Sequence, residues 1–97
     1  MDNDSEHMSD DLKWFCRFDD TLKRIRNDQG HPEEWEVQNG YQAKPGLWYV
    51  TAYEAADMHE FVSGVGHTLA EASINAMGRI EEALEAWGWT IEEDDDL

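Results

Sequence analysis

The residues best suited to chemistry in this chain are four histidines, one cysteine, a run of aspartates and a glycine pair. His7, His31, His59 and His67 are scattered, and Cys16 is the lone thiol. A structural zinc site takes nitrogen and sulfur ligands at close, repeated spacings, and no such spacing occurs, so no metal site is predicted. Asp94-Asp95-Asp96 offers weak attraction for a divalent cation but lacks the Asp-x-Asp-x-Asp-Gly loop of a calcium site. Gly64-Val65-Gly66 precedes a helix start, where free backbone N–H groups can hold phosphate. Neither a third Gly nor a Lys-Ser/Thr pair follows, so the glycines read as a turn. Cys16 falls within or beside an aromatic helix face and is expected to be a partly buried, inert thiol. No Ser/His/Asp or Cys/His pattern stands out. The sequence therefore predicts no catalytic residue, no cofactor and no enzymatic activity.

Charge is the dominant feature. The 97 residues carry 23 acids and seven bases, a formal net charge of −16. Ten of those acids lie at the ends: Asp2, Asp4, Glu6, Asp10 and Asp11, then Glu92, Glu93, Asp94, Asp95 and Asp96. The middle is moderately acidic. Such a chain is repelled by nucleic-acid phosphates and anionic lipid and attracted to basic surfaces, which are often surfaces built to hold nucleic acid. No apolar run is long enough to span a membrane. The acidic start lacks the apolar stretch of a secretory signal. With a single Cys, a cytoplasmic location is expected (the host cytoplasm if the gene is a phage's).

The elements that must position these groups are legible in the apolar spacing. Residues 1–8 read as a flexible acidic arm, 9–91 as one domain and 92–97 as an acidic tail. A helix is predicted from Ser9, with Trp14, Phe15, Phe18, Leu22 and Ile25 on one face and Lys23, Arg24 and Arg26 in its last turn. Gly30 and Pro32 end it. Trp35-Glu36-Val37-Gln38 alternates as a strand, Asn39-Gly40 reads as a turn, and Lys44-Pro45-Gly46 as a second turn. Leu47 to Glu54 is the strongest strand, with Leu47, Tyr49, Thr51 and Tyr53 on one face and Trp48, Val50 and Ala52 on the other. Glu60 to Ser63 forms a third strand. Thr68 and Glu71 match a capping box, opening one helix whose stripe runs from Leu69 through Ala72, Ala76, Met77, Ile80, Ala83 and Leu84 to Trp87, with Gly88 as its stop. Trp89 and Ile91 are expected to tuck back.

The predicted fold is α+β in the order α-β-β-β-α: a three-stranded antiparallel sheet with both helices on one face. One of the large rings Trp48 and Tyr49 then lies on the uncovered face, where an exposed aromatic often marks an interface. A homodimer through that face is the corresponding expectation.

From Trp35 to Met77 the chain resembles the double-stranded-RNA-binding domain family, which has this element order and a Gly-x-Gly-x-Ser-Lys-Lys-x-Ala-Lys-x-x-Ala-Ala signature. Here that stretch reads Gly64-Val65-Gly66-His67-Thr68-Leu69-Ala70-Glu71-Ala72-Ser73-Ile74-Asn75-Ala76-Met77. The glycines, the hydroxyl cap and the small residues match. The lysines that the resemblance would place on RNA fall at Leu69, Ala70 and Ser73, none basic, so the resemblance implies the fold without direct nucleic-acid binding. A Gly-x-Thr-x-x-Glu-Ala start also looks like that of small antitoxin-type sheets.

The expected function is that of an acidic protein-binding inhibitor that blocks the nucleic-acid-binding surface of a partner. In general character the chain looks like phage anti-defence proteins of the anti-CRISPR type. The carboxylates expected to meet the partner are Glu33, Glu34, Glu36, Asp57, Glu60, Glu71, Glu82 and Glu85. The alternative is a structural or regulatory interaction module, antitoxin-like or a partner subunit, whose acidity serves solubility or salt adaptation.

Overall fold

The structure, a computed structural model, describes residues 3–92, with side chains from Asp10 onward. The elements are α1 (Asn3–Lys23), β1 (Ile25–Arg26), β2 (Trp35–Gln42), β3 (Leu47–Glu54), β4 (His59–Gly66), α2 (Leu69–Met77), α3 (Ile80–Trp87) and β5 (Thr90–Ile91). β2, β3 and β4 form an antiparallel sheet in that order, and β1 pairs with β5. The predicted α-β-β-β-α architecture is thus present, with the last helix bent in two. No helix among the described residues is long and apolar enough to cross a membrane.

α2 packs on β3 and β4, α3 on β4, and α1 on α2. Phe18, Leu22 and Ile25 join Val50, Ala52, Phe61, Val62, Ala72, Ala76, Ile80 and Leu84 in one buried core. The helical stripe and the Trp48-Val50-Ala52 strand face are therefore the two surfaces that meet. Two glycines set how closely. A Cβ at Gly64 would lie 2.5 Å from the Ala72 carbonyl oxygen, and one at Gly66 2.7 Å from the Glu71 side chain. β4 can thus lie almost in contact with the backbone of α2, whose own residues there are Ala72 and Ala76.

Several elements depart from expectation. Helical backbone begins at Asn3, ahead of Ser9; residues 3–8 hold no Gly or Pro, and their acids suit a helix N-terminus. Met1, Asp2 and residues 93–97 of the expected acidic ends lie outside the described residues. Asn39-Gly40 is not a turn. β2 runs straight through it, because Gly40 pairs with Tyr49 and the Tyr49 ring fills the space that a Gly40 side chain would take. The chain reverses at 43–46 instead, at the predicted second turn. β4 continues through Gly64-Val65-Gly66, since Val50 and Trp48 pair with those glycines. A bulge opposite Ala52 turns both Phe61 and Val62 into the core. The single predicted C-terminal helix breaks at Gly78-Arg79, where the Arg79 N–H bonds to the Ala76 carbonyl three residues back and tightens the turn. Cys16 is exposed rather than partly buried, on the side of α1 away from Phe18.

Candidate functional site

Seven of the eight carboxylates named from sequence lie about one end of the sheet or on α3 beside it, with Lys23 and Arg79 among them, and one lies apart. The group surrounds the end of the sheet where β3 turns into β4. Glu54 is buried there and its carboxylate accepts the Ala56 and Asp57 N–H groups at 3.1 and 3.2 Å, so it holds the turn that presents Asp57. The Ala55 N–H donates to the Glu34 carbonyl at 3.0 Å, which fixes Glu33 and Glu34 beside this turn. Glu33 also accepts from Asn27 Nδ2 at 2.6 Å. Glu36 and Glu60 flank Tyr53 in one row across three strands, about 10 Å apart at the usual strand spacing. Round the edge of β4, Glu60 and Glu82 share the walls of a shallow groove of about 290 Å³. Glu85 follows Glu82 one helical turn on.

Beneath these acids lies an aromatic cluster. Phe61 sits 4.9 Å from Trp35 and 5.1 Å from Trp87, and Trp89 lies 4.8 Å from Trp87 and 6.1 Å from Trp35, ring centre to ring centre. Trp89 does tuck back, and Ile91 pairs with Ile25 in the small second sheet. Such edge-on and tilted contacts add to simple burial and give the acidic end a rigid base.

Glu71 is the outlier. It stands at the other end of the sheet, next to Gly66, about 20 Å along β3 from Glu54. Its carboxylate accepts the His67 N–H at 2.6 Å while its own N–H donates to Thr68 Oγ1 at 3.0 Å, so the Thr68 half of the predicted capping box forms and the Glu71 half falls on the residue before the cap. Asp11 crosses from α1 and accepts the Ala70 N–H at 3.0 Å. The N-terminus of α2 is therefore occupied by two of the protein's own carboxylates, which leaves no welcome for phosphate there. Of the positions where the resemblance places lysines, Ser73 is fully buried with its hydroxyl donating to the Leu69 carbonyl, and Leu69 and Ala70 are half-buried.

The backbone hydrogen bond from His67 lowers the carboxyl pKa of Glu71; partial desolvation opposes it, and the His67 ring adds a smaller lowering. A carboxylate with a depressed folded pKa adds stability above its unfolded pKa and loses it as pH falls through the folded one. Glu71→Gln is expected to melt below the wild type at neutral pH, with the two curves converging in acid. Thermal melts across that range check this.

The bases are interleaved with the acids. Lys13, Arg17, Lys23, Arg24 and Arg26, five of the seven, fall between residues 13 and 26; α1 also carries Asp10, Asp11, Asp19 and Asp20, and Lys23 shares a hollow with Glu33, Glu34 and Glu36. Lys13 and Arg17 flank the Trp14 ring, Lys23 pairs with Asp19 at 3.2 Å, and Arg26 pairs with Glu92 at 2.8 Å. These exposed pairs contribute little stability, and Arg79 lies in the groove with Glu60 and Glu82.

Of the two aromatic rings, Tyr49 is the one on the open sheet face, above Gly40. Trp48 turns to the helix side, against the core and 5.7 Å from Tyr41. The structure also brings together a trio that the sequence leaves apart: ligand atoms of Glu54, Asp57 and His59 lie within 4.8 Å of one another. The Glu54 oxygens there already hold the turn. The groove between β4 and α3 and the aromatic cluster were likewise not anticipated, since both depend on the bulge that turns Phe61 inward. No family model matches the chain, and neither a curated protein nor a solved structure matches it.

Proposed function

We propose that this chain is an acidic protein-binding inhibitor that occupies the nucleic-acid-binding surface of a basic partner, a role of the kind played by phage anti-defence proteins of the anti-CRISPR type in a host cytoplasm. The observation that carries this reading is the excess of carboxylates about one end of the sheet, with Glu36 and Glu60 in one row, Glu82 and Glu85 on the neighbouring α3, and Glu33, Glu34 and Asp57 beside the row. These carboxylates outnumber Lys23 and Arg79, the bases that line the same hollows, so this end of the molecule carries a net negative field. Such a field steers and orients association with a basic groove. The carboxylates at the N-terminus of α2 and the buried Ser73 support the companion expectation that the chain does not bind nucleic acid itself. The test is capture of partners by the tagged chain from nuclease-treated lysate at low and high salt. Nucleic-acid-binding proteins retained at low salt and released at high salt are expected; capture indifferent to salt counts against the reading.

The open sheet face favours a second reading, an interaction module or homodimer. Leu47, Tyr49 and Tyr53 stand on it half-buried, and Val65 is 52% exposed. If this face assembles, Tyr49→Lys should convert a dimer to a monomer in analytical ultracentrifugation. A wild-type chain that sediments as a monomer at all concentrations removes this reading. Trp48 is unsuited to the test because its loss would open the core.

A further inference from the structure

The outer edge of β4 combines free main chain, apolar surface and negative charge. β4 pairs only with β3 in its sheet, so one side of it is an edge. Asn75 Nδ2 donates to the Val65 carbonyl at 2.7 Å from that outer side. In an antiparallel strand the N–H and C=O of one residue point the same way, and the direction alternates along the chain. The unbroken register Thr51↔Ser63, Val50↔Gly64, Tyr49↔Val65 therefore turns the N–H and C=O of Ser63 outward as well. Asn75 closes the edge at Val65; among the described residues no backbone group bonds to Ser63 from that side. At Ser63 the edge opens instead into the groove between β4 and α3. Phe61, Ala83 and Trp87 supply its apolar surface, and the exposed carboxylates of Glu60 and Glu82 outnumber the one guanidinium, Arg79.

We propose that this groove takes an extended segment of a partner protein, alternating basic with apolar residues, which adds to the sheet as a strand beside Ser63. Strand addition draws its affinity from main-chain hydrogen bonds and its specificity from alternate side chains. Residues of the added strand that face α3 meet Phe61, Ala83 and Trp87. Those that face the open side of the sheet meet Glu60, which stands in the row with Tyr53 and Glu36. Charge selects the occupant: an acidic segment would meet Glu60 and Glu82, with Glu36 and Glu85 close by. Two carboxylates of the charge-based reading are shared, but the ligand differs, being an extended chain read by its backbone rather than a folded basic surface.

The probe is a short blocked peptide alternating arginine with valine, compared with two analogues N-methylated on one or the other set of alternate amides. All three carry the same charge. Addition of the parent peptide to the full chain is expected to shift the Ser63 amide and the Trp87 indole in NMR spectra. One analogue should bind at least tenfold more weakly and the other nearly as well as the parent, because only every second amide of a strand faces its neighbour. Ser63→Pro, which removes the outward N–H while leaving the ladder to β3 intact, should weaken the parent peptide by a similar factor in a chain that melts like the wild type. Equal binding of all three peptides, shifts centred away from β4 and α3, or no binding by the parent would overturn the proposal. Equal binding through charge alone would leave the inhibitor reading standing, so the two fail separately.

Discussion

Gly64→Ala is expected to lower stability by about 3 kcal/mol or more, at the upper end of the cost of overpacking a core. The added methyl would lie 2.5 Å from the Ala72 carbonyl oxygen and closer still to the Ala76 nitrogen. Both are backbone atoms inside a helix, so no side-chain rotation relieves the contact. α2 must move off the sheet, which strips cover from Val50, Ala52 and Val62, each essentially buried. For a domain of this size a loss of that order lowers the melting temperature by roughly 12–24 °C. Gly78→Ala serves as the control, since its added methyl finds only ordinary contacts, the nearest at 3.6 Å. Thermal melts of the two variants check the prediction. A Gly64→Ala chain as stable as the wild type would mean that helix and sheet stand further apart than described.

The second large effect is on binding. Reversal of the four acids Glu36, Glu60, Glu82 and Glu85 to lysine is expected to abolish partner binding. An exposed ion pair contributes about 0.2–1 kcal/mol, and reversal both removes an attraction and installs a repulsion of similar size. Four reversals therefore total roughly 2–8 kcal/mol, and the middle of that range is a loss of more than a thousandfold. All four side chains are exposed, so the fold should survive, and circular dichroism checks this. Glu71→Lys belongs in a separate variant. Its carboxylate caps α2 about 20 Å from the group, so it should cost stability and leave affinity nearly unchanged. Titration calorimetry with the captured partner separates the two outcomes.

The contrast between Glu71 and its supposed companions shows which parts of the molecule a sequence discloses. The cap at Thr68 and Glu71 is local, with both of its hydrogen bonds made within the five residues from His67 to Glu71. The alternation of Leu47 to Glu54 likewise announces both the strand and its two faces. Asn39-Gly40 has the composition of a turn, yet the ring of Tyr49, on the neighbouring strand, decides its conformation. Gly78 and Arg79 fall between Met77 and Ile80 of one apolar stripe whose spacing does not mark the bend that the Arg79 N–H makes with the Ala76 carbonyl. The acids were legible as a count. Their grouping depends on cross-strand register, on the bulge at Phe61 and on the Glu54 turn, none of which is a local property. Asp11 makes the same point, since its partner at Ala70 is 59 residues away.

The central claim is that the acidic end of this protein and a nucleic acid compete for one basic surface. Equilibrium competition tests it most directly: a complex of the chain with its captured partner is titrated with the partner's own DNA or RNA, and the bound species are followed by native mass spectrometry. Mutual exclusion is expected, with nucleic acid displacing the chain and no complex that holds both, and the Glu36, Glu60, Glu82 and Glu85 reversal should no longer compete. A stable ternary complex of chain, partner and nucleic acid would contradict it.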